Sequence, residues 1–248
     1  MAAQQGFLYE ENAATLLKKY NLVPKNFVPA GAGHDQPDLV LQNGKKTAGC
    51  ELKITAASAG SLVLKYDSSK KANPWGFNKI AADDKEKQFI ADLAKDVGLF
   101  NIIKKQWKEM PYKREKDATW DATAGKKTPE ERYRRDLKFF PDIKGEIPAS
   151  KIEDYYNKKD TWYVNVGTHG FYLMGTKNPF GLKGVPRFGT AAKAIYRARV
   201  QYKGSNNYQF TFEMQFSMKE KSDFNIAPVD GKSVTIIKEK LNLGCFNV

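Results

Sequence analysis

Two apolar stretches of the chain carry side chains suited to metal-assisted chemistry. Pro37-Asp38 opens the stretch PDLVLQ, and Glu51-Leu52-Lys53 lies in the next one, KKTAGCELKIT. Carboxylate, carbonyl and water oxygens are the ligands that Mg²⁺ prefers, and the ion usually keeps waters and a phosphate oxygen as well. A carboxylate pair beside an ammonium therefore has the right chemistry to hold such an ion.

The two stretches are predicted to be neighbouring antiparallel strands. The dipeptide Asn43-Gly44 stands between them and is a strong signal for a tight hairpin turn. Antiparallel pairing across that turn brings Asp38 close to Glu51. Because side chains alternate along a strand, Glu51 and Lys53 lie on one face. The hairpin therefore predicts that two carboxylates and one ammonium meet at one place.

A helix is predicted before the hairpin, in residues 5–20. Its apolar residues recur with helical period: Phe7, Ala13, Ala14, Leu17 and Tyr20. Glu10 falls between Phe7 and Leu17 on this apolar face, whereas Glu11 lies at its edge. Of the two glutamates, Glu10 is therefore predicted to point inward, and an inward carboxylate needs a reason.

After the hairpin, a third strand and a second helix are predicted. SLVLKY forms the strand, and the helix begins at Asp83 or Asp84, either of which can cap it, and runs towards Trp107. Residues 109–148 are highly charged and weakly periodic, which indicates an insertion, lid or linker without core residues. Strand character returns with TWYVNVG.

Period-2 alternation is clearest in the last third of the chain. Residues 194–203 and 207–219 are predicted to be strands joined around Gly204-Ser205-Asn206, with one aromatic face and one polar, basic face. The register that matches the aromatic faces places Arg197 opposite Glu213.

Basic residues concentrate in the same region, since every charged residue in 183–203 is Lys or Arg. A two-stranded ribbon fits the major groove of DNA and can also lie along the phosphates. The predicted nucleic-acid contacts are Arg187, Lys193, Arg197, Arg199, Lys203 and, from the glycine-containing loop before the hairpin, His34. The alternatives are a solvated sheet face partly neutralised by Glu213, and a loop-capping role for His34.

The overall charge favours a polyanionic partner. The 248 residues include 41 Lys and Arg against 28 Asp and Glu, a net charge of +13; a solvated lysine-rich surface is the alternative. No membrane-length apolar stretch and no secretory signal are apparent, so we expect an intracellular protein without a membrane partner. Cys50 and Cys245 lack metal-site spacing and are expected to be buried.

Pro37-Asp38 followed by Glu51-x-Lys53 on the next strand resembles the signature of the PD-(D/E)XK nuclease superfamily, which includes many restriction endonucleases. The resemblance covers residues 5 to about 105. It implies an α/β protein with a restriction-endonuclease-like α-β-β-β-α-β core and a mixed sheet, whose last strand is TWYVNVG. A basic insertion and a C-terminal β-hairpin extension complete the prediction. The predicted domains are a nuclease core (1–108), a mobile basic insertion (109–150), and the last core strand with a DNA-contacting extension (151–248).

The resemblance also implies a role for each site residue. Asp38 and Glu51 would bind Mg²⁺, helped by the main-chain carbonyl of Leu52, and Lys53 would position or help deprotonate the attacking water. Glu10 would be the first-helix glutamate that many members carry. Mn²⁺ is expected to substitute for Mg²⁺.

The expected activity is Mg²⁺-dependent endonucleolytic cleavage of double-stranded DNA. Two alternatives stay open: the same centre acting on RNA or branched DNA, and a nucleic-acid-binding protein without catalysis, which would show salt-sensitive binding only. A homodimer is also left open. The expected location is the cytoplasm or nucleoid, or a host cell if the protein is viral.

Overall fold

The structure is a computed structural model that describes residues 2–29, 36–55, 58–67, 69–70, 72–107, 129–202, 208–229 and 238–246. Its helices are α1 (Ala2–Lys18), α2 (Lys85–Asp96), α3 (Leu99–Gln106), α4 (Pro129–Asp136), α5 (Ser150–Asn157) and α6 (Phe188–Ala191), with a short 3-10 turn at Lys238–Lys240. Its strands are β1 (Leu39–Asn43), β2 (Lys46–Lys53), β3 (Ser58–Tyr66), β4 (Trp75–Phe77), β5 (Ile143–Ile147), β6 (Thr161–Val166), β7 (Gly170–Leu173), β8 (Ala192–Tyr202) and β9 (Tyr208–Met218). Over these ranges, no helix is both long enough and apolar enough to cross a membrane.

The chain divides into two compact units, each discontinuous in sequence. The first contains Met1–Ala57, Pro148–Ala194 and Phe216–Val248, and the second contains Ser58–Ile147 and Ile195–Gln215. The sequence predicted three consecutive domains, with boundaries at residues 108 and 150, and assigned each of them an expected role. That division stays a prediction.

The first unit is built around a mixed sheet with the strand order β1-β2-β6-β7. β1 and β2 form the predicted antiparallel hairpin, but Asn43 pairs with Lys46, so the two turn residues are Gly44 and Lys45 and not the predicted Asn43 and Gly44. Gly44 has a φ of 62° in the turn between them, a conformation that favours glycine. β6 lies parallel to β2, and β7 is antiparallel to β6. The predicted combination of helices with a mixed sheet is therefore confirmed, and TWYVNVG supplies β6, the strand beside the hairpin.

α1 contributes to the apolar core of this unit. The side chains that form this core from α1, β1 and β2 include Tyr9, Ala13, Ala14, Leu17, Leu39, Leu41, Cys50 and Leu52. The predicted apolar face of α1 was wrong at its start, because Phe7 is 39% exposed and Tyr9 is 1% exposed. Cys50 is buried as predicted, but Cys245 is only partly buried.

Gly49 allows β2 to pair closely with β6. The β2–β6 register shifts between Gly49 and Cys50, and a Cβ atom at Gly49 would lie 2.5 Å from the carbonyl oxygen of Asp160. Only glycine fits this close approach. Beyond the shift, Cys50 to Lys53 pair regularly with Tyr163 to Val166, so the part of β2 that carries Glu51 and Lys53 lies inside the sheet.

The predicted order of one helix followed by three strands is observed, but the third strand does not join the sheet that contains the hairpin. β3 pairs with β4 and β9 in a second sheet, ordered β4-β3-β9-β8-β5. The physical reason is that β2 already has β1 on one side and β6 on the other, so its edges are occupied. The predicted second helix also ends earlier, since Gly98 has a φ of 66° and separates α2 from α3. Asp84 caps α2 by accepting a hydrogen bond from the amide of Lys87.

Part of the segment predicted to lack core residues contributes to the core of the second unit. Phe140 is 1% exposed and packs edge to face against Trp75, Trp107 and Phe210. Its long-range aromatic contacts are not visible in the local charge pattern that suggested a linker. Residues 109–128, about half of the predicted mobile insertion, lie outside the described residues.

Candidate active site

Asp38 lies immediately before β1, where hairpin pairing holds it against β2. Leu39 pairs with Cys50 in the antiparallel register, so Asp38 falls beside Glu51 and Leu52. The main-chain amide of Leu52 donates a hydrogen bond of 2.8 Å to Oδ2 of Asp38. The structure thus places Asp38 beside the strand that carries Glu51, as the hairpin predicted.

Glu51 and Lys53 contact each other at the C-terminal end of β2. Nζ of Lys53 donates a hydrogen bond to Oε1 of Glu51. Glu51 is 6% exposed, whereas the Lys53 side chain keeps 21% of its surface exposed. The amide of Gly167 donates a 2.7 Å hydrogen bond to the carbonyl oxygen of Lys53, which ties the strand end to the turn after β6. The pair is therefore held on a rigid element but remains reachable by a substrate.

Glu10 belongs to the same electrostatic cluster. It lies on α1 and is half-buried, whereas its neighbour Glu11 is exposed. The charges of Lys53 and Glu51 both act on the Glu10 carboxyl. The inward side chain of the pair is therefore Glu10, as the helical phase predicted.

The carboxyl groups of this cluster repel one another. Burial, followed by the charge of Glu51, raises the pKa of Asp38 to about 8, while Lys53 opposes the shift. Burial raises the pKa of Glu10 to about 7, with Lys53 lowering it and Glu51 raising it. Burial acts to lower the pKa of Lys53, but the carboxylates of Glu51 and Asp38 outweigh burial and hold it above its ordinary value. A bound cation would relieve this repulsion.

The donor set is compatible with one hard divalent cation. Asp38 and Glu51 supply two carboxylates, and Leu52 between Glu51 and Lys53 supplies a main-chain carbonyl. Among the residues that the structure describes, no group of three or more His, Cys, Asp or Glu side chains is arranged to hold a metal ion. Mg²⁺ binds through one or two carboxylates and keeps several waters, whereas a structural Zn²⁺ site has four protein ligands. Two carboxylates thus fit Mg²⁺ or Mn²⁺, and metal binding is a proposal.

Two polar residues beside the site were missed by sequence reasoning. Tyr9 precedes Glu10 on α1 and is 1% exposed, and Asn165 on β6 is fully buried. The Asn165 carboxamide donates a hydrogen bond of 3.3 Å to the Tyr9 hydroxyl. Asn165 was visible only as the one amide in the apolar run TWYVNVG, and no sequence signal connected it with Tyr9.

Arg187, a predicted nucleic-acid contact, is engaged within the first unit. Its guanidinium donates hydrogen bonds to both carboxylate oxygens of Glu153, at 3.0 and 3.1 Å from Nε and 2.5 Å from Nη2. Glu153 is 1% exposed and also accepts a 2.6 Å hydrogen bond from the amide of Gly189. The bidentate pair satisfies a buried carboxylate, so a DNA contact by Arg187 would have to share this guanidinium.

The arginines predicted on β8 also have carboxylate partners. Arg197 donates hydrogen bonds to Asp142, and Arg199 forms a 2.8 Å ion pair with Glu213. These ion pairs leave the predicted strand register, with Arg197 opposite Glu213, as a prediction, and they show that the side chain of Arg197 pairs with the carboxylate that precedes β5. Both side chains are mostly covered, with 22% of Arg197 and 27% of Arg199 exposed.

The remaining predicted contacts divide between exposed and undescribed residues. Lys193 is exposed on β8. Lys203 and His34 lie outside the described residues. A role for any of these side chains in nucleic-acid binding stays a prediction.

Comparisons with known proteins returned little beyond a coarse likeness. No protein-family model matches the chain, and no curated protein matches it significantly. Among solved structures, the chain is similar to HhaI endonuclease in complex with DNA, with a TM-score of 0.38 and 10% sequence identity, over 86% of this chain and 91% of that one. This TM-score is too low to establish a shared fold.

Proposed function

We propose that this protein is a metal-dependent endonuclease that hydrolyses phosphodiester bonds in double-stranded DNA. One observation carries the proposal: the hairpin brings the carboxylates of Asp38 and Glu51 together with the ammonium of Lys53. Glu10, from a different element, shares their electrostatic environment. Two acidic oxygen ligands beside a fixed cation form a site suited to phosphoryl chemistry.

Each residue of the cluster has a separate task in the proposed reaction. Asp38 and Glu51 would hold Mg²⁺, or Mn²⁺ in its place, together with the Leu52 carbonyl. When bound, the ion polarises the phosphoryl oxygen and lowers the pKa of a bound water. Lys53 offers an ammonium N–H that orients the attacking water and stabilises negative charge on the phosphate. Glu10 supplies a further acceptor that helps to orient that water.

The polynucleotide substrate is proposed from charge. A net charge of +13 favours a polyanion and gives salt-dependent binding by counterion release. Double-stranded DNA is our first choice, and RNA or branched DNA would use the same centre. A binding protein without catalysis would share the charge but would not need Asp38 and Glu51 at one place.

The decisive experiment incubates the purified protein with supercoiled plasmid, linear duplex DNA, a branched DNA and RNA, each with Mg²⁺ or with EDTA. Nicking and linearisation of the plasmid with Mg²⁺ alone is the expected result. Cleavage confined to RNA or to the branched DNA would show that this nucleic acid, and not double-stranded DNA, is the substrate. Salt-sensitive binding without cleavage would refute the enzyme assignment. Glu51→Gln should abolish cleavage, while the matched control Glu11→Gln alters an exposed carboxylate next to the site residue Glu10 and should be silent.

A further inference from the structure

A buried hydrogen-bond network links α1, β6 and the segment after β9. The hydroxyl of Tyr9 donates to the carbonyl oxygen of Ala227 at 2.5 Å. The Asn165 carboxamide donates to the Tyr9 hydroxyl at 3.3 Å and to the same Ala227 carbonyl at 3.1 Å, and it accepts from the amide of Ile226 at 3.0 Å. All four residues are at most 1% exposed, so the network is closed to solvent.

The network includes neighbours of the proposed catalytic residues on two elements, α1 and β6. Tyr9 directly precedes Glu10 on α1, and successive residues of a helix point about 100° apart. Tyr9 can therefore enter the core while Glu10 is directed towards the charged cluster. Asn165 pairs with Leu52 in the β2–β6 register, and Leu52 separates Glu51 from Lys53. The hydrogen bond between Asn165 and Tyr9 therefore connects the residue before Glu10 with the residue that pairs with Leu52.

The surroundings leave the Tyr9 hydroxyl little freedom. A Cβ atom at Gly167 would lie 2.6 Å from a methyl group of Val229 and 3.0 Å from the Tyr9 hydroxyl, so the chain passes close on that side. Burial raises the pKa of Tyr9 well above its ordinary value, which keeps the hydroxyl protonated as a donor. Apolar packing alone is non-directional, whereas hydrogen bonds restrict both distance and angle.

We propose that Tyr9 and Asn165 are positioning residues that set the place of Glu10 relative to Glu51 and Lys53. The inference rests on the proposed nuclease function and adds two residues to its machinery. Neither residue acts on the substrate. The hydrogen bond between Tyr9 and Asn165 fixes the rotation of α1 about its axis and its position along β2. The carbonyl oxygen of Ala227 accepts hydrogen bonds from both side chains and so stabilises this arrangement.

The test removes only the Tyr9 hydroxyl. In Tyr9→Phe the Ala227 carbonyl keeps its 3.1 Å hydrogen bond from Asn165, so no buried acceptor is stripped of its donors. The matched control is Tyr163→Phe on the same strand as Asn165, which removes a hydroxyl bonded to Asn178 and to the amide of Phe180. Each variant should lower Tm by about 2 to 4 °C.

Only the Tyr9 variant should impair cleavage. Because a small displacement of a catalytic group costs up to about 100-fold in rate, we expect kcat to fall about 10-fold or more with KM nearly unchanged. A double variant, Tyr9→Phe with Glu10→Gln, should be no slower than Glu10→Gln alone, since Tyr9 acts through Glu10. Multiplicative losses, or equal losses in Tyr163→Phe, would overturn the inference.

A second measurement separates this inference from the proposed function. If the wild-type protein cleaves no nucleic acid with Mg²⁺, the nuclease proposal is wrong. Hydrogen exchange of the main-chain amides around Glu10 and Leu52 would still be compared in Tyr9→Phe and Tyr163→Phe. Faster exchange in Tyr9→Phe alone would support the link between α1 and β2. Unchanged exchange would overturn it.

Discussion

The main-chain amide of Leu52 donates a hydrogen bond to Oδ2 of Asp38. The bond connects the residue before β1 with the residue between Glu51 and Lys53, so one contact sets the spacing of both proposed metal ligands. Asp38 therefore has a structural role, which is to accept this hydrogen bond, and a proposed second role, which is to bind a cation. The two roles can be tested separately.

Asp38→Asn should therefore abolish activity while preserving the fold. Asn can still accept the Leu52 hydrogen bond through its Oδ1 atom, but it lacks the charge that a divalent cation needs. We expect cleavage to fall on the order of 100-fold or more, with DNA binding retained. Plasmid nicking with Mg²⁺, paired with binding in EDTA, measures both properties. Near-normal cleavage by Asp38→Asn would rule out Asp38 as a metal ligand.

Lys53→Ala and Glu10→Gln should both slow cleavage, and Lys53→Ala should be the more severe. Lys53 is paired with Glu51 at the site and is proposed to act on both the water and the phosphate, whereas Glu10 is proposed to act on the water alone. Single-turnover rates at saturating Mg²⁺ provide the comparison. The reverse order of severity would exchange the proposed roles.

The metal-free protein should lose stability as the pH rises from about 4 to about 8. The pKa values of Glu10, about 7, and Asp38, about 8, lie above the unfolded values of about 4. The native state therefore holds protons that the unfolded state has released, and its stability falls across that window. Urea unfolding in EDTA at pH 5 and pH 8 should show a smaller difference for Asp38→Asn and Glu10→Gln than for wild type. An unchanged difference would show that these carboxyls titrate normally.

Arg187→Ala should act on stability more than on DNA binding. It leaves the carboxylate of Glu153, which is 1% exposed, without its bidentate partner, a change that costs about 3 kcal/mol or more. Lys183→Ala, which changes an exposed side chain, should alter the free energy of unfolding by no more than about 0.5 kcal/mol. Urea unfolding measures the free energy of unfolding of both variants. An Arg187→Ala protein that is stable but binds DNA more weakly would support the prediction that Arg187 contacts DNA.

Lys193 and Arg197 should differ in their contribution to DNA binding. If Lys193 contacts a phosphate, Lys193→Ala should weaken binding of all sequences about equally and reduce the salt slope by about one. Arg197→Ala should reduce the slope by less than one, because Asp142 already neutralises this guanidinium. Titrations at several salt concentrations measure the slopes. Equal reductions by both variants would indicate that Arg197 leaves Asp142 when DNA binds.

The sequence alone determined the hairpin and the residues that it brings together. Asp38 and Leu52 are 14 positions apart, and a tight turn with alternating side chains was sufficient to predict that Asp38 lies near Glu51 with Lys53 beside it. The exact register was not predicted, because the turn residues are Gly44 and Lys45 and not Asn43 and Gly44. The same reasoning identified Glu10 from helical phase, although the apolar face of α1 begins at Tyr9 and not at Phe7.

Only the tertiary structure decided which strands share a sheet and which charges are paired. Arg187 and Glu153 are 34 positions apart, and Tyr9 and Asn165 are 156 apart. No local periodicity encodes such partners, because many apolar strands can pair with β2 and any carboxylate can neutralise an arginine. Packing selects β6 over β3 as the second neighbour of β2, since the whole chain must bury its apolar faces and satisfy its buried polar groups at once.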